Sequence, residues 1–185
     1  MNRYSSRRKE RGFVLVIGML FLLISMILGA AMMNSFGLLE RMSGNTRDKL
    51  RALSVAQNAL QYGEWWLSEG HGGEASACAG VSQTAAMTVC EAPLGDPANL
   101  PWPVRADYEP PGVSVSSAGG VAADGDINFR ALPGLHITEL GMTPDGTGRL
   151  YRVSGFAYGG DPSTAAVVQS TYRLSSSGVK DLGGL

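Results

Sequence analysis

The chain has 185 residues, with 15 Lys plus Arg against 16 Asp plus Glu and a formal net charge of −1. Five of the basic residues (Arg3, Arg7, Arg8, Lys9 and Arg11) precede position 12 with Glu10 as the only acid there, so the remainder carries about 10 positive and 15 negative charges. An acidic remainder argues against a nucleic-acid-binding surface on that part. The length left after a basic leader and an apolar segment suits one domain of ordinary size.

From Phe13 to Leu39 the chain runs 27 residues without a charge, more than the about 20 that span a bilayer core as a helix. A secretory signal peptide would have a shorter apolar core and a small-x-small cleavage site after it, whereas this run continues into polar helix. The basic leader predicts a cytoplasmic N-terminus, a single pass through the inner membrane and translocation of everything after Glu40 into the periplasm.

The junction Lys9-Glu10-Arg11-Gly12-Phe13-Val14-Leu15-Val16 ends a basic leader in glycine and opens the apolar helix on an aromatic residue. It resembles the class III signal of type IV prepilins. The resemblance implies that a prepilin peptidase cuts after Gly12 and methylates the new N-terminal Phe13. Glycine suits such a site, since it lets a protease approach the backbone. On these residues alone, a plain single-pass anchor with a chance Gly-Phe is the other reading. The family usually has glutamate fifth after the cut, pairing with the N-terminal amine of the preceding subunit, and here that position is Ile17. A charge left alone in hydrocarbon is costly, so an apolar residue suits a subunit with no predecessor, at the tip or start of a filament. The alternative is that lateral packing tolerates the loss anywhere.

After Leu39 the pattern turns half polar. Leu53, Ala56, Leu60, Gly63 and Leu67 recur at three- and four-residue steps, with Arg47, Asp48, Lys49, Arg51, Gln57 and Glu64 among them, which predicts an amphipathic helix. No proline falls between Phe13 and Leu67, so one nearly continuous helix of about 55 residues, roughly 80 Å long, is expected. Asn34, Ser35, Gly37 and the Ser43-Gly44-Asn45 cluster are poor helix formers, and bending or local melting is expected there. Small residues at Ala52, Ala56, Ala59 and Gly63 allow close backbone approach. Trp65 and Trp66 read as covering the domain core, with a partner-facing role as the alternative.

The run Leu39-Glu40-Arg41-Met42-Ser43-Gly44-Asn45-Thr46-Arg47-Asp48, followed by Ala52, Ala56, Ala59-Leu60 and Gly63-Glu64, resembles the signature of PilX-type minor pilins. In that family a Glu-Arg-Met-x-Gly-Asn core precedes an alanine-rich amphipathic helix. Glu40 and Arg41 are accordingly assembly candidates together with Ile17. The resemblance covers about the first third of the chain and implies partners: other minor pilins, a PilY-type tip adhesin and the prepilin peptidase.

From Gly70 onward the composition shifts to Gly, Pro, Ser and Ala, with turn signals such as Glu109-Pro110-Pro111-Gly112 and Pro144-Asp145-Gly146. Cys78 and Cys90 are the only cysteines and lack Cys-x-x-Cys spacing. They are expected to form one disulfide closing a short loop in an oxidising compartment. Strands are predicted at Leu135 to Leu140, Arg149 to Tyr158 and Ala165 to Leu174, the last two as an antiparallel hairpin. Leu150 to Gly155 and Val167 to Arg173 also resemble the closing strands of the PilX family. Residues 175–185 lack periodicity and are expected to be mobile.

His71 and His136 are the only histidines, and neither stands in a triad or zinc arrangement. Asp124-x-Asp126-x-Asn128 begins like a calcium loop but has Phe129 where glycine is needed and Leu135 where the bidentate acid belongs. No metal, cofactor, small-molecule substrate or enzymatic role is expected.

The expected fold is therefore α+β and type IV pilin-like, a long N-terminal helix packed on a C-terminal antiparallel sheet. The expected parts are a leader (1–12), a membrane segment (13–39), an amphipathic continuation (40–69), a periplasmic β-domain (70–174) and a tail (175–185). The expected role is that of a minor pilin that primes assembly, sits at the pilus tip and supports twitching motility and adhesion. Two alternatives stand beside it: a type II secretion pseudopilin, for whose large K-type extra domain the chain is too short, and a single-pass periplasmic receptor that keeps its leader.

Overall fold

The computed structural model describes residues 11–123, 125–175 and 178–181. The leader up to residue 10, Asp124, and the tail positions 176–177 and 182–185 lie outside the described residues. Helix α1, Arg11–Trp66, is 56 residues long and contributes to two compact units that divide between Asn45 and Thr46.

In the first unit, every side chain described between 12 and 45 is exposed. The melting expected at Ser43-Gly44-Asn45 is not found, since Gly37 and residues 43–45 are helical. The reason is local: a single glycine costs a helix about 1 kcal/mol against alanine, and Leu38, Leu39, Glu40, Arg41 and Met42 between these positions are strong helix formers with no proline near.

The second unit begins with the last third of α1. Its inward stripe is Ala52, Val55, Ala56 and Ala59, each at most 5 % exposed, followed by Gly63 and the buried Leu67 in the closing turn Leu67–His71. Gly70, at φ +93°, stops the helix, because that left-handed conformation comes without steric cost only to glycine.

Six strands follow, lying side by side in chain order. They are β1 (Val81–Gln83), β2 (Arg105–Asp107), β3 (Gly134–Met142), β4 (Gly148–Tyr158), β5 (Ala165–Ser175) and β6 (Gly178–Asp181). The β1–β2 pair is parallel and the others are antiparallel, so the sheet is mixed. The three predicted strands correspond to β3, β4 and β5, and β4 and β5 form the expected antiparallel hairpin, with Tyr158 opposite Ala165. β1, β2 and β6 were not expected. Where an aperiodic tail was predicted, Gly178–Asp181 pairs with Tyr172–Ser175. β3 bulges between Glu139 and Gly141, with Gly141 at φ +106°, which allows the extra residue of a bulge.

The helix lies on one sheet face through its glycines and alanines. A Cβ on Gly63 would come within 2.8 Å of Val153 Cγ1, and one on Gly155 within 2.9 Å of the Ala56 carbonyl oxygen. Around these contacts Leu67, Leu135, Ile137, Tyr151 and Val153 form a buried cluster with Trp66 packed against it. Each fully buried aliphatic contributes about 1.5–3 kcal/mol. Trp66 therefore covers the core as expected, but Trp65 does not. It is 53 % exposed and touches only the Tyr62 ring among aromatics, at 5.5 Å.

The opposite sheet face is covered by the chain between β1 and β3. Trp102 packs edge-on against Phe156, with ring centroids 4.8 Å apart. Cys90 extends the sheet edge, donating its N–H to the Ile137 carbonyl at 2.8 Å and accepting from Glu139 N–H at 3.2 Å. Its bond to Cys78, with sulfurs 2.05 Å apart, closes the predicted loop onto β3. Closing a loop with a sequence separation of 12 stabilises the fold by about 3 kcal/mol in the chain-entropy account. The Cys78→Ser/Cys90→Ser variant is expected to unfold at a lower urea concentration, with an unfolding free energy lower by about 3 kcal/mol, and reductant is expected to shift the wild type equally. A wild-type urea midpoint indifferent to reductant would contradict this.

Candidate functional site

The residues picked out in the sequence fall on two structural units. Gly12, Phe13, Ile17, Glu40 and Arg41 all lie on the helix of the first unit, and Cys78 and Cys90 belong to the second. Phe13 and Ile17 are four residues apart and so share a helix face. They are 69 % and 41 % exposed. Nothing lies within 4 Å of where a Cβ on Gly12 would stand, so the junction is sterically open. Glu40 and Arg41 follow the apolar stretch on exposed helix, about 35 Å along the axis from Ile17 at 1.5 Å per residue.

The apolar part of this helix contains an 18-residue window of mean hydropathy 2.8 with none of it buried, which by length and composition can cross a membrane. A run of exposed Leu, Ile, Phe and Met on this scale would be strongly unfavourable in water. Such a surface suits lipid or other apolar helices.

Where the helix enters the second unit, polar side chains fasten it to the sheet domain. The Asp48 carboxylate accepts from the backbone N–H of Gly160 at 2.7 Å and of Asp161 at 3.3 Å. Position 159 must be glycine for this, because a Cβ there would lie 2.5 Å from the Asp48 oxygens. Lys49 Nζ donates to the Ala165 carbonyl at 2.7 Å. Arg51 donates to the Ile127 carbonyl, pairs with Asp126 at 3.2 Å and stacks over Phe129 at 4.5 Å. Further along, Ser170 Oγ donates to Glu64. Sequence reasoning assigned Asp48 to the family run without a structural role, since its partners are more than 100 residues away. Asp126, considered for a calcium loop, instead faces the Arg47 and Arg51 guanidiniums, and Asn128 donates to the Gly119 carbonyl at 3.1 Å. Among the described residues no cluster of His, Cys, Asp and Glu could hold a metal.

Both histidines have structural partners. His71 lies 3.0 Å from the Trp66 carbonyl and stacks on the Trp66 ring. His136 is buried, its Nδ1 3.1 Å from the Val104 carbonyl and its Nε2 3.2 Å from that of Ala92. Burial lowers the His136 pKa below 6.5 in spite of these two carbonyls, which favour the protonated ring. Hydrogen bonds from Thr143 and Thr147 hold Asp145 well below the usual carboxylate range, and Ser163 lowers Asp161 in the same way.

The sign of the linkage is the same for all three groups. A folded-state pKa below the unfolded one means that the unfolded chain binds the proton first, so acid destabilises. Stability is expected to be constant above pH 6.5 as far as His136 is concerned, and to fall as pH drops through its lowered value. A further fall below the ordinary carboxylate range is expected from Asp145 and Asp161, whose pKa values are lowered by their hydroxyl partners. Urea midpoints measured against pH should show both steps, and His136→Gln should flatten the upper one alone. A midpoint that rises on acidification from pH 7 would contradict the assignment.

A membrane-length apolar helix that continues into a helix packed on a largely antiparallel sheet defines an α+β, pilin-like protein. Residues 11–64 match the family model described as PilX N-terminal. That segment is thus similar to the N-terminal part of PilX-family pilins, and the match supports a type IV pilus minor pilin in general terms. The comparisons with curated proteins and with solved structures gave no match.

Proposed function

We propose that the protein is a minor pilin that helps prime type IV pilus assembly and is placed at the pilus tip. The observation that carries this reading is the coincidence of the PilX N-terminal match, residues 11–64, with a wholly exposed apolar helix. In this reading the prepilin peptidase cuts between Gly12 and Phe13, and Phe13 is methylated. The helix waits in the inner membrane with the sheet domain in the periplasm. It then packs beside other minor pilins and a PilY-type adhesin, and the finished filament serves twitching motility and adhesion. Glu40 and Arg41, exposed where the apolar stretch ends, are available to neighbouring subunits.

Shearing tests the assembly step. The processed protein is expected in the sheared pilus fraction, at much lower abundance than the shaft subunit. Recovery from the membrane fraction alone, in cells with normal pili, would favour a receptor that never leaves the bilayer. The tip position rests on Ile17, where the family carries a carboxylate. Ile17→Glu is expected to impair recruitment to the initiating complex, because the new carboxylate would lack a preceding amine. Unchanged recruitment and piliation would remove that argument.

A further inference from the structure

Between Gly72 and Val104 the chain bears three formal charges, Glu74, Glu91 and Asp96, all negative. The next cation, Arg105, is occupied: Nε pairs with Asp107 at 2.6 Å and Nη1 donates to the Trp102 carbonyl at 2.8 Å. This acidic segment lines a solvent-open cavity of about 280 Å³ on the sheet face away from the helix, walled by the Cys78–Cys90 disulfide, Pro93, Leu94, Trp102 and Pro103. The volume is just under the range of about 300–1,000 Å³ typical of small-molecule sites. It suits one bulky side chain better than a cofactor.

The polar groups of the walls are largely satisfied from within. The His136 ring faces the Val104 and Ala92 carbonyls, Trp102 Nε1 donates to the Pro97 carbonyl at 3.0 Å, and Asp96 Oδ1 accepts from Ala98 N–H at 2.9 Å. What the site offers a ligand is therefore apolar surface inside, with Asp96 and Asn99 exposed at the rim. The disulfide and the His136 contacts hold the walls before anything binds, which lowers the ordering cost of binding.

We propose that this cavity is a recognition pocket for a basic peptide segment of a partner protein, which inserts one large apolar side chain and sets a neighbouring Lys or Arg against Asp96. The charge of the lining selects the occupant: Asp96 is its one carboxylate and it contains no Lys or Arg, so an acidic or phosphorylated peptide would meet like charge with no cation to offset it. An uncharged apolar side chain would fill the walls but leave the rim unused. This inference concerns the second unit alone and does not depend on the assembly reading.

The test uses the full-length protein in detergent micelles, observed by NMR through the Trp102 indole and His136 ring resonances. The probes are three acetylated and amidated pentapeptides, Gly-Lys-Phe-Lys-Gly, Gly-Glu-Phe-Glu-Gly and Gly-Lys-Gly-Lys-Gly. The first is expected to shift both resonances saturably. The other two are expected to bind about tenfold more weakly or worse, the last because burial of one aromatic side chain is lost. Asp96→Asn, which keeps the acceptor for Ala98 N–H, is expected to weaken the first peptide about threefold, the scale of an exposed ion pair, and Asp96→Lys more. Rising salt should erase that difference. Absence of a saturable shift with the first peptide, or equal binding of the Lys- and Glu-flanked peptides, would overturn the proposal.

Discussion

Gly12→Val is expected to leave the leader attached and the protein out of the pilus, while the fold survives. The two halves of that result are separable because of where Gly12 sits. Its position on the exposed helix has nothing within 4 Å of a prospective Cβ, so valine meets no neighbour and changes only the helix propensity, by well under about 1 kcal/mol and in favour of valine. Any large effect must come from recognition of the Gly12-Phe13 junction, where a β-branched side chain keeps a protease from the backbone. The variant should therefore unfold at the wild-type urea midpoint, migrate as the longer form and be missing from sheared pili. A shortened form in the variant would contradict the assigned cut site, and an altered midpoint would point to an unforeseen structural role.

Gly155→Val is expected to destabilise the second unit by about 3 kcal/mol, at the upper end of overpacking effects. The atoms that would be struck are main-chain atoms of α1, the Ala56 carbonyl oxygen at 2.9 Å and the Leu60 nitrogen at 3.3 Å. No side-chain rotation can clear them, so the helix must lift from the sheet and release Ala52, Ala56 and Ala59, all fully buried. Gly73→Val is the control, since nothing lies within 4 Å of its Cβ position. It should shift the urea midpoint little. Equal midpoints for the two variants would show that the helix does not rest on Gly155 as described.

What the sequence revealed of this fold followed from how local the signal was. β3, β4 and β5 announce themselves by alternation and by β-branched and aromatic residues, as in Leu150-Tyr151-Arg152-Val153 and Val167-Val168-Gln169-Ser170, and their turns carry Gly, Asp and Pro. β1 and β2 are three residues each in a Gly- and Pro-rich stretch. They exist because β2 finds Leu135 and Gly134 across the sheet, a pairing with no local sign. β6 depends likewise on β5.

The anchor and the disulfide were readable because each rests on composition: an uninterrupted apolar run and a single pair of cysteines. Trp65 was misjudged by treating it with Trp66 as a pair. At about 100° per residue, Trp65 stands roughly 200° from Gly63, on the outer side, whereas Trp66 returns toward the core. The helical phase held the signal. Asp48 and the cavity beside the disulfide could not be found this way, since both depend on loops brought together across long stretches of chain.

A pilin differs from an ordinary anchored protein in losing its leader where the apolar helix begins. The most direct measurement is the intact mass of the protein isolated from cells that express the prepilin peptidase. The pilin reading predicts the mass of residues 13–185 with one added methyl group and one disulfide. A mass that includes Met1 through Gly12 would contradict it.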